Sequence, residues 1–132
     1  MSQLNRRILI IMIALSACLV FMTTQAGNSA QNGKITRMTL AANPNNYHGG
    51  CPVTINFNGS ISLNGPNSVT YAIERSDGGS GHGGPLNFTS AGTKQVHFTW
   101  RLGSKGMNFS GWEQIASGNS RSNKATFQIH CK

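Results

Sequence analysis

The sequence predicts an all-β protein, an antiparallel β-sandwich of about seven strands preceded by an N-terminal signal helix. Three observations predict it. From Ile35 onward, apolar residues recur at every second position, most regularly as Val96, Phe98, Trp100 and Leu102, which is the period of a strand with one buried face. Clusters of Gly, Pro and Asn, such as Asn64-Gly65-Pro66-Asn67, divide these runs and supply turn conformations. No stretch of this part has the apolar spacing of an amphipathic helix, and its many glycines disfavour one.

The chain has 132 residues, the length of one domain. Residues 1–26 read as a signal peptide. Arg6 and Arg7 are followed by the uncharged apolar run Ile8 to Met22, and Thr24 and Ala26 are small residues ahead of a cleavage site after Ala26. Leu15-Ser16-Ala17-Cys18 offers a less favoured alternative, a lipoprotein anchored through Cys18. The Leu19-Val20-Phe21-Met22 that follows is too apolar for the polar tether of an acylated cysteine. Fifteen apolar residues also fall short of the ~20 that span a bilayer, so no transmembrane segment is expected after processing. The expected location is secreted or periplasmic.

Residues 27–33 (GNSAQNG) form a flexible lead-in, and residues 34–132 form the domain. The first strand runs from Ile35 to Ala42, with Met38 and Leu40 on one face. The second runs from Cys51 to Asn58, with Cys51, Val53, Ile55 and Phe57 sharing a side. Ser60 to Leu63 extends it past a break at Gly59. Ser68 to Arg75 is the third, with Val69, Tyr71 and Ile73 inward. Asp77 to Pro85 (DGGSGHGGP) reads as a long glycine-rich loop before a short fourth strand, Pro85 to Ser90. Lys94 to Leu102 is the fifth, Gly111 to Ala116 the sixth and Lys124 to Cys131 the seventh. Seven strands in about 100 residues match the count and spacing of an immunoglobulin-like sandwich, in which two sheets bury their apolar faces against each other.

Once Cys18 is removed or acylated, Cys51 and Cys131 remain as an even pair. Both lie on the apolar parity of their strands. The start of an even strand and the end of an odd strand meet at one end of an antiparallel sandwich, so a Cys51–Cys131 disulfide is expected. Antibody domains instead bridge their second and sixth strands and pack a third-strand Trp on the disulfide. Here the third strand carries Tyr71, and the tryptophans are Trp100 and Trp112.

Several short patterns follow in order: Cys51-Pro52, Phe57-Asn58-Gly59-Ser60-Ile61, Val69-Thr70-Tyr71, Arg75-Ser76-Asp77-Gly78, Trp100-Arg101-Leu102-Gly103, Gly111-Trp112 and Ser122-Asn123-Lys124-Ala125. As a set this resembles a family of small secreted bacterial domains with an immunoglobulin-like β-sandwich fold, most without assigned biochemistry. The resemblance covers about Cys51 to Cys131. It implies the fold, export and the disulfide, and it brings no catalytic residues.

The side chains narrow the function classes. Beyond the leader there are nine basic and three acidic residues, a net charge of +6. The basic residues are spread singly, unlike a nucleic-acid-binding arm, so weak, salt-screened affinity for anionic surfaces is expected without specific nucleic-acid binding. Glu74, Asp77 and Glu113 are too few and too separated for a paired-carboxylate hydrolase. His48, His82, His97 and His130 lack metal-site spacing, and no Gly-x-Ser-x-Gly elbow occurs. No catalytic residue, metal ligand or cofactor is therefore assigned. Two stretches are candidates for binding: the glycine-rich loop with Asp77 and His82, and the Gly103 to Trp112 stretch with Lys105, Met107 and Phe109. Packing is the competing role for Phe109 and Trp112. The expected function is an exported, non-enzymatic binding or structural module of the cell envelope or extracellular space that contacts an unknown protein or glycan. A small secreted enzyme or metal-binding carrier is the alternative.

Overall fold

The structure is a computed structural model that describes residues 31–132. The expected signal peptide, the Cys18 site and most of the lead-in lie outside the described residues. Strands are β1 (Ile35–Asn43), β2 (Asn46–Gly49), β3 (Val53–Leu63), β4 (Asn67–Arg75), β5 (Ser80–Phe88), β6 (Gly92–Leu102), β7 (Asn108–Ser117), β8 (Ser120–Arg121) and β9 (Ala125–Cys131). No helix occurs among the described residues. One sheet has the order β1-β3-β6. The other has the order β2-β9-β7-β4-β5, with β8 paired to β7.

The all-β expectation holds, with nine strands where the sequence suggests seven. The two additions are short. At Asn43-Pro44 the chain leaves the three-stranded sheet without reversing, and β2 joins the edge of the other sheet parallel to β9. Gln128 donates its backbone N–H to the Asn45 carbonyl at that step, 2.9 Å away. This parallel pair corrects the expectation of a purely antiparallel sandwich. Pro44 has no N–H to continue a ladder, so the switch falls where the backbone has least to lose.

Three further expectations are corrected. Gly59 does not break a strand: β3 is continuous from Val53 to Leu63, with Gly59 opposite both Leu40 and Val96. A side chain there would collide with the Thr39 carbonyl oxygen, so glycine is what lets β1 close on β3. The stretch from Asp77 to Pro85 is mostly not a loop. Only a tight turn precedes β5, which pairs with β4 from Glu74↔Ser80 to Asn67↔Phe88. The Asp77 carboxylate accepts from the Gly79 N–H at 2.9 Å and from Arg75, and this holds the turn. The glycine content of β5 fits the packing, since the Tyr71 ring lies where a side chain on Gly83 would stand. Finally, Cys51 precedes its strand, in the connection from β2 to β3.

Both sheets contribute to a single core. Ile55, Phe57 and Ile61 of β3 meet Ile115 of β7 and Phe127 and Ile129 of β9, all essentially inaccessible to water. Phe127 packs edge-on against Phe57 and Trp100, with centroids at 5.9 Å and 5.4 Å. Such pairs add about 0.5–1.5 kcal/mol beyond the area they bury.

One side chain ties the sheets together at the edge. Asn123, between β8 and β9, accepts from the Leu40 N–H at 3.0 Å and donates to the Leu40 carbonyl at 2.7 Å. The amide acts as a one-residue strand for β1, whose other edge already pairs with β3. Asn123→Ala leaves both backbone groups without these partners and is expected to cost about 1–3 kcal/mol. Urea unfolding checks this through a lower midpoint at an unchanged slope.

Candidate functional site

The Cys51–Cys131 disulfide forms as expected, with its Cα atoms 5.4 Å apart. It anchors the end of the sandwich where β6 turns into β7. Gly106 donates to the Cys131 carbonyl, Cys131 to that of Met107, and Met107 to that of Ser104. Met107 and Phe109 are half-buried and packed on the core, with the Phe109 ring 5.8 Å from that of Trp100. Lys105 is exposed at the turn. Asp77 lies in the β4–β5 turn. Its carboxylate is bidentate with Arg75, which holds it below the usual carboxylate range, and the Gly79 N–H adds to that effect. The Arg75 guanidinium in turn lies 3.8 Å over the Trp100 ring. Asp77 and Phe109 are thus linked through Arg75 and Trp100. His82 stands apart on β5 opposite Ala72, where it lines a shallow depression with Gly83, Gly84 and Ser117.

Glu113, to which the sequence alone assigns no role, is the buried carboxyl among the described residues. It is 2% exposed, and its Oε2 has no hydrogen-bond partner. Burial raises its pKa to about 7, against an opposing pull from Arg75 and a small push from Asp77. Parity carries the signal: if Ile115 faces inward, so does Glu113. Arg75 is its register partner on β4. This carboxyl sits inside the sandwich rather than in a cleft, so its consequence is for stability.

The same parity turns Trp112 outward, onto the open face of the six-stranded sheet. Three successive cross-strand pairs of β7 and β9 share that face: Trp112↔Thr126, Ser110↔Gln128 and Asn108↔His130. β2 adds Asn46 beside Gln128 and His48 beside His130. Asn45, Asn46, Ser110, Thr126 and Gln128, with the Gly111 and Phe127 backbone as floor, line a depression of about 500 Å³. Their side chains make no hydrogen bond to another described residue. Asn64, Asn67, Asn108, Gln114 and Asn123 are engaged, whereas Asn58 and Gln95 on the outer face of the other sheet are uncommitted as well, without lining a depression. Half-buried Trp112 flanks the depression, and the Lys124 ammonium stands 4.2 Å from the centre of its ring. At the far end, His48 and His130 stack at 4.3 Å with planes 11° apart. His130 Nδ1 is 2.8 Å from Asn108 Oδ1. Stacked rings do not converge their in-plane lone pairs on one point, so this pair is not arranged to chelate an ion. The sequence hid the grouping because it depends on β2 lying parallel to β9.

These features define the chain as an all-β domain of two packed sheets, the six-stranded one carrying a polar depression on its outer face. No family model matches the chain, and no curated relative does. Among solved structures, it is similar to part of a Pseudomonas fluorescens alkylpurine DNA glycosylase, AlkC, bound to DNA containing an abasic site analog. That likeness has a TM-score of 0.52 and 14% identity over 72% of this chain. The chain spans only 30% of that enzyme's length, and the likeness is one of fold. Weaker likenesses are to the CARDB domain of a Pyrococcus furiosus protein in complex with di-metal ions, and to the C-terminal domain of wzt. The first has a TM-score of 0.47 and 9% identity, covering 76% of this chain and 94% of that one. The second has a TM-score of 0.43 and 11% identity, covering 78% and 75%.

Proposed function

We propose that the mature chain is an exported, non-enzymatic binding module of the cell envelope or extracellular space, built on an immunoglobulin-like sandwich. The open face of the six-stranded sheet is its contact surface. One observation carries this reading: five polar side chains with no internal hydrogen bonds gather round a depression beside Trp112. A concave patch with uncommitted donors and acceptors, next to a half-buried indole, suits a protein or glycan ligand. The disulfide and the leader-like N-terminus support export.

Two measurements test the two halves of the proposal. Intact mass of the mature protein is expected to place the first residue at Gly27 with no lipid, and a lipidated Cys18 would contradict that. A glycan array and a cross-linking capture with the full chain are expected to find a saturable ligand that Trp112→Ala weakens about tenfold or more. A saturable ligand indifferent to both Trp112→Ala and Gln128→Ala would place the contact surface elsewhere.

A further inference from the structure

We infer that the Trp112–His130 row on the open sheet face binds an acidic polysaccharide, one whose sugars carry carboxylates. This rests on the reading of that face as the contact surface and names the class of ligand. The row is linear. Trp112 and Asn108 lie four residues apart on one strand, about 13 Å at the rise of a β-strand. Side chains of three adjacent strands, with Lys124 just ahead of β9, run along it: Trp112 and Lys124 at one end, Ser110, Thr126, Gln128 and Asn46 in the middle, and His48 and His130 at the other. A chain of sugars presents hydroxyls at short, regular intervals along an extended backbone. The uncommitted amides and hydroxyls of the middle can serve as both donors and acceptors to them. The apolar C–H face of a sugar ring matches the indole of Trp112.

Charge decides between a neutral and an acidic glycan. No side-chain carboxylate of the described residues is free near the row. Glu113 faces the core, Asp77 is paired with Arg75, and Glu74 is paired with Arg121 at 3.3 Å. Lys124 has no carboxylate partner among the described residues; its ammonium rests on the Trp112 ring instead. A sugar carboxylate seated beside the indole would therefore find an ammonium in place and no opposing charge to displace. The spacing of cations also argues for sugars over nucleic acid. The row offers one lysine next to amides and hydroxyls, where phosphate-tracking surfaces use closely spaced Lys and Arg.

The test uses the full chain with polygalacturonate as probe and the same polymer with its carboxyls reduced as the neutral control. Affinity electrophoresis or calorimetry reads the binding at low and moderate salt. Saturable binding to polygalacturonate is expected, with the reduced polymer weaker by about two- to fivefold, the scale of one exposed ion pair. Lys124→Gln is expected to remove that difference. Trp112→Ala and, independently, Gln128→Ala are expected to weaken both polymers, with unchanged melting temperature confirming the fold of at least one variant. Arg37→Gln and Arg101→Gln, on the outer face of the other sheet, are expected to change neither.

Four results would overturn the inference: no saturable binding to polygalacturonate; equal binding to the reduced polymer, which would make the ligand a neutral glycan; equal losses from Arg37→Gln and Arg101→Gln, which would make the attraction diffuse; or tighter binding to duplex DNA. The first of these leaves the contact-face reading intact if the array or capture still yields a ligand sensitive to Trp112→Ala. An array ligand insensitive to Trp112→Ala and Gln128→Ala removes both.

Discussion

Replacing Cys51 and Cys131 together with alanine is expected to lower stability by about 4–5 kcal/mol, the largest effect of any substitution considered. The bridge closes a loop of 80 residues, and the chain-entropy treatment puts the cost of opening a loop of that length in this range. Weaker packing at the same end of the sandwich adds to it. The backbone bonds of Gly106 and Met107 with Cys131 hold the β6–β7 turn against the bridge, so the turn should loosen first. Equilibrium denaturation of oxidised protein and of the double variant measures the difference. Hydrogen exchange should show the earliest loss of protection at Gly106, Met107 and Cys131. A loss of under about 1 kcal/mol would mean that the unfolded chain is already constrained near the bridge.

Glu113 is expected to make stability fall as pH rises from about 4.5 to about 7. Its pKa is 4.5 for the free group and about 7 in the folded protein. Between those values the folded state holds a proton that the unfolded state has released, so each step upward in pH favours unfolding. The contribution is fully present below pH 4.5 and is lost once pH passes about 7. At about 1.4 kcal/mol per pKa unit the swing is about 3 kcal/mol. Glu113→Gln removes the titration while keeping the shape of the side chain. Its melting temperature should vary less across this range and exceed that of the wild type at about pH 8. The depressed pKa of Asp77 works in the opposite sense, in a window below the usual carboxylate range, so the two do not overlap. If the wild type and Glu113→Gln lose stability in parallel between about pH 5 and 7, another group is responsible.

Much of the fold was legible because a strand with one buried face imposes a period of two on its sequence. Val96, Phe98, Trp100 and Leu102 declare β6 without reference to anything else, and Phe127, Ile129 and Cys131 declare β9. The glycine-rich segment misleads because glycine marks a turn by default. Here it lies in an edge strand whose partner β4 supplies the apolar bulk. Local composition marks two candidate binding stretches, one with Asp77 and His82 and one with Lys105, Met107 and Phe109. The structure divides them among a turn held by an ion pair, an edge strand, an exposed turn and two half-buried side chains packed against the core.

Local pattern alone carries the all-β class, the inward residues of β1, β3, β4, β6 and β9, and, with Cys18 set aside, the pairing of Cys51 with Cys131. These follow from local alternation and from the pair of cysteines that remains in the domain beyond the leader-like segment, which no tertiary contact needs to supply. The tertiary structure alone decided which strands share a sheet, that β2 lies parallel to β9, and that Gly59 sits inside a strand. It alone brought Asn46, Ser110, Trp112, Thr126 and Gln128 onto one surface. These depend on pairings between residues far apart in the chain, such as Asn46 with Gln128, which periodicity cannot encode. The disulfide was readable because residues 34–132 hold two cysteines, which leave a single choice within the domain. The open face was not, because polar residues on outward positions look alike until the strands carrying them are placed side by side.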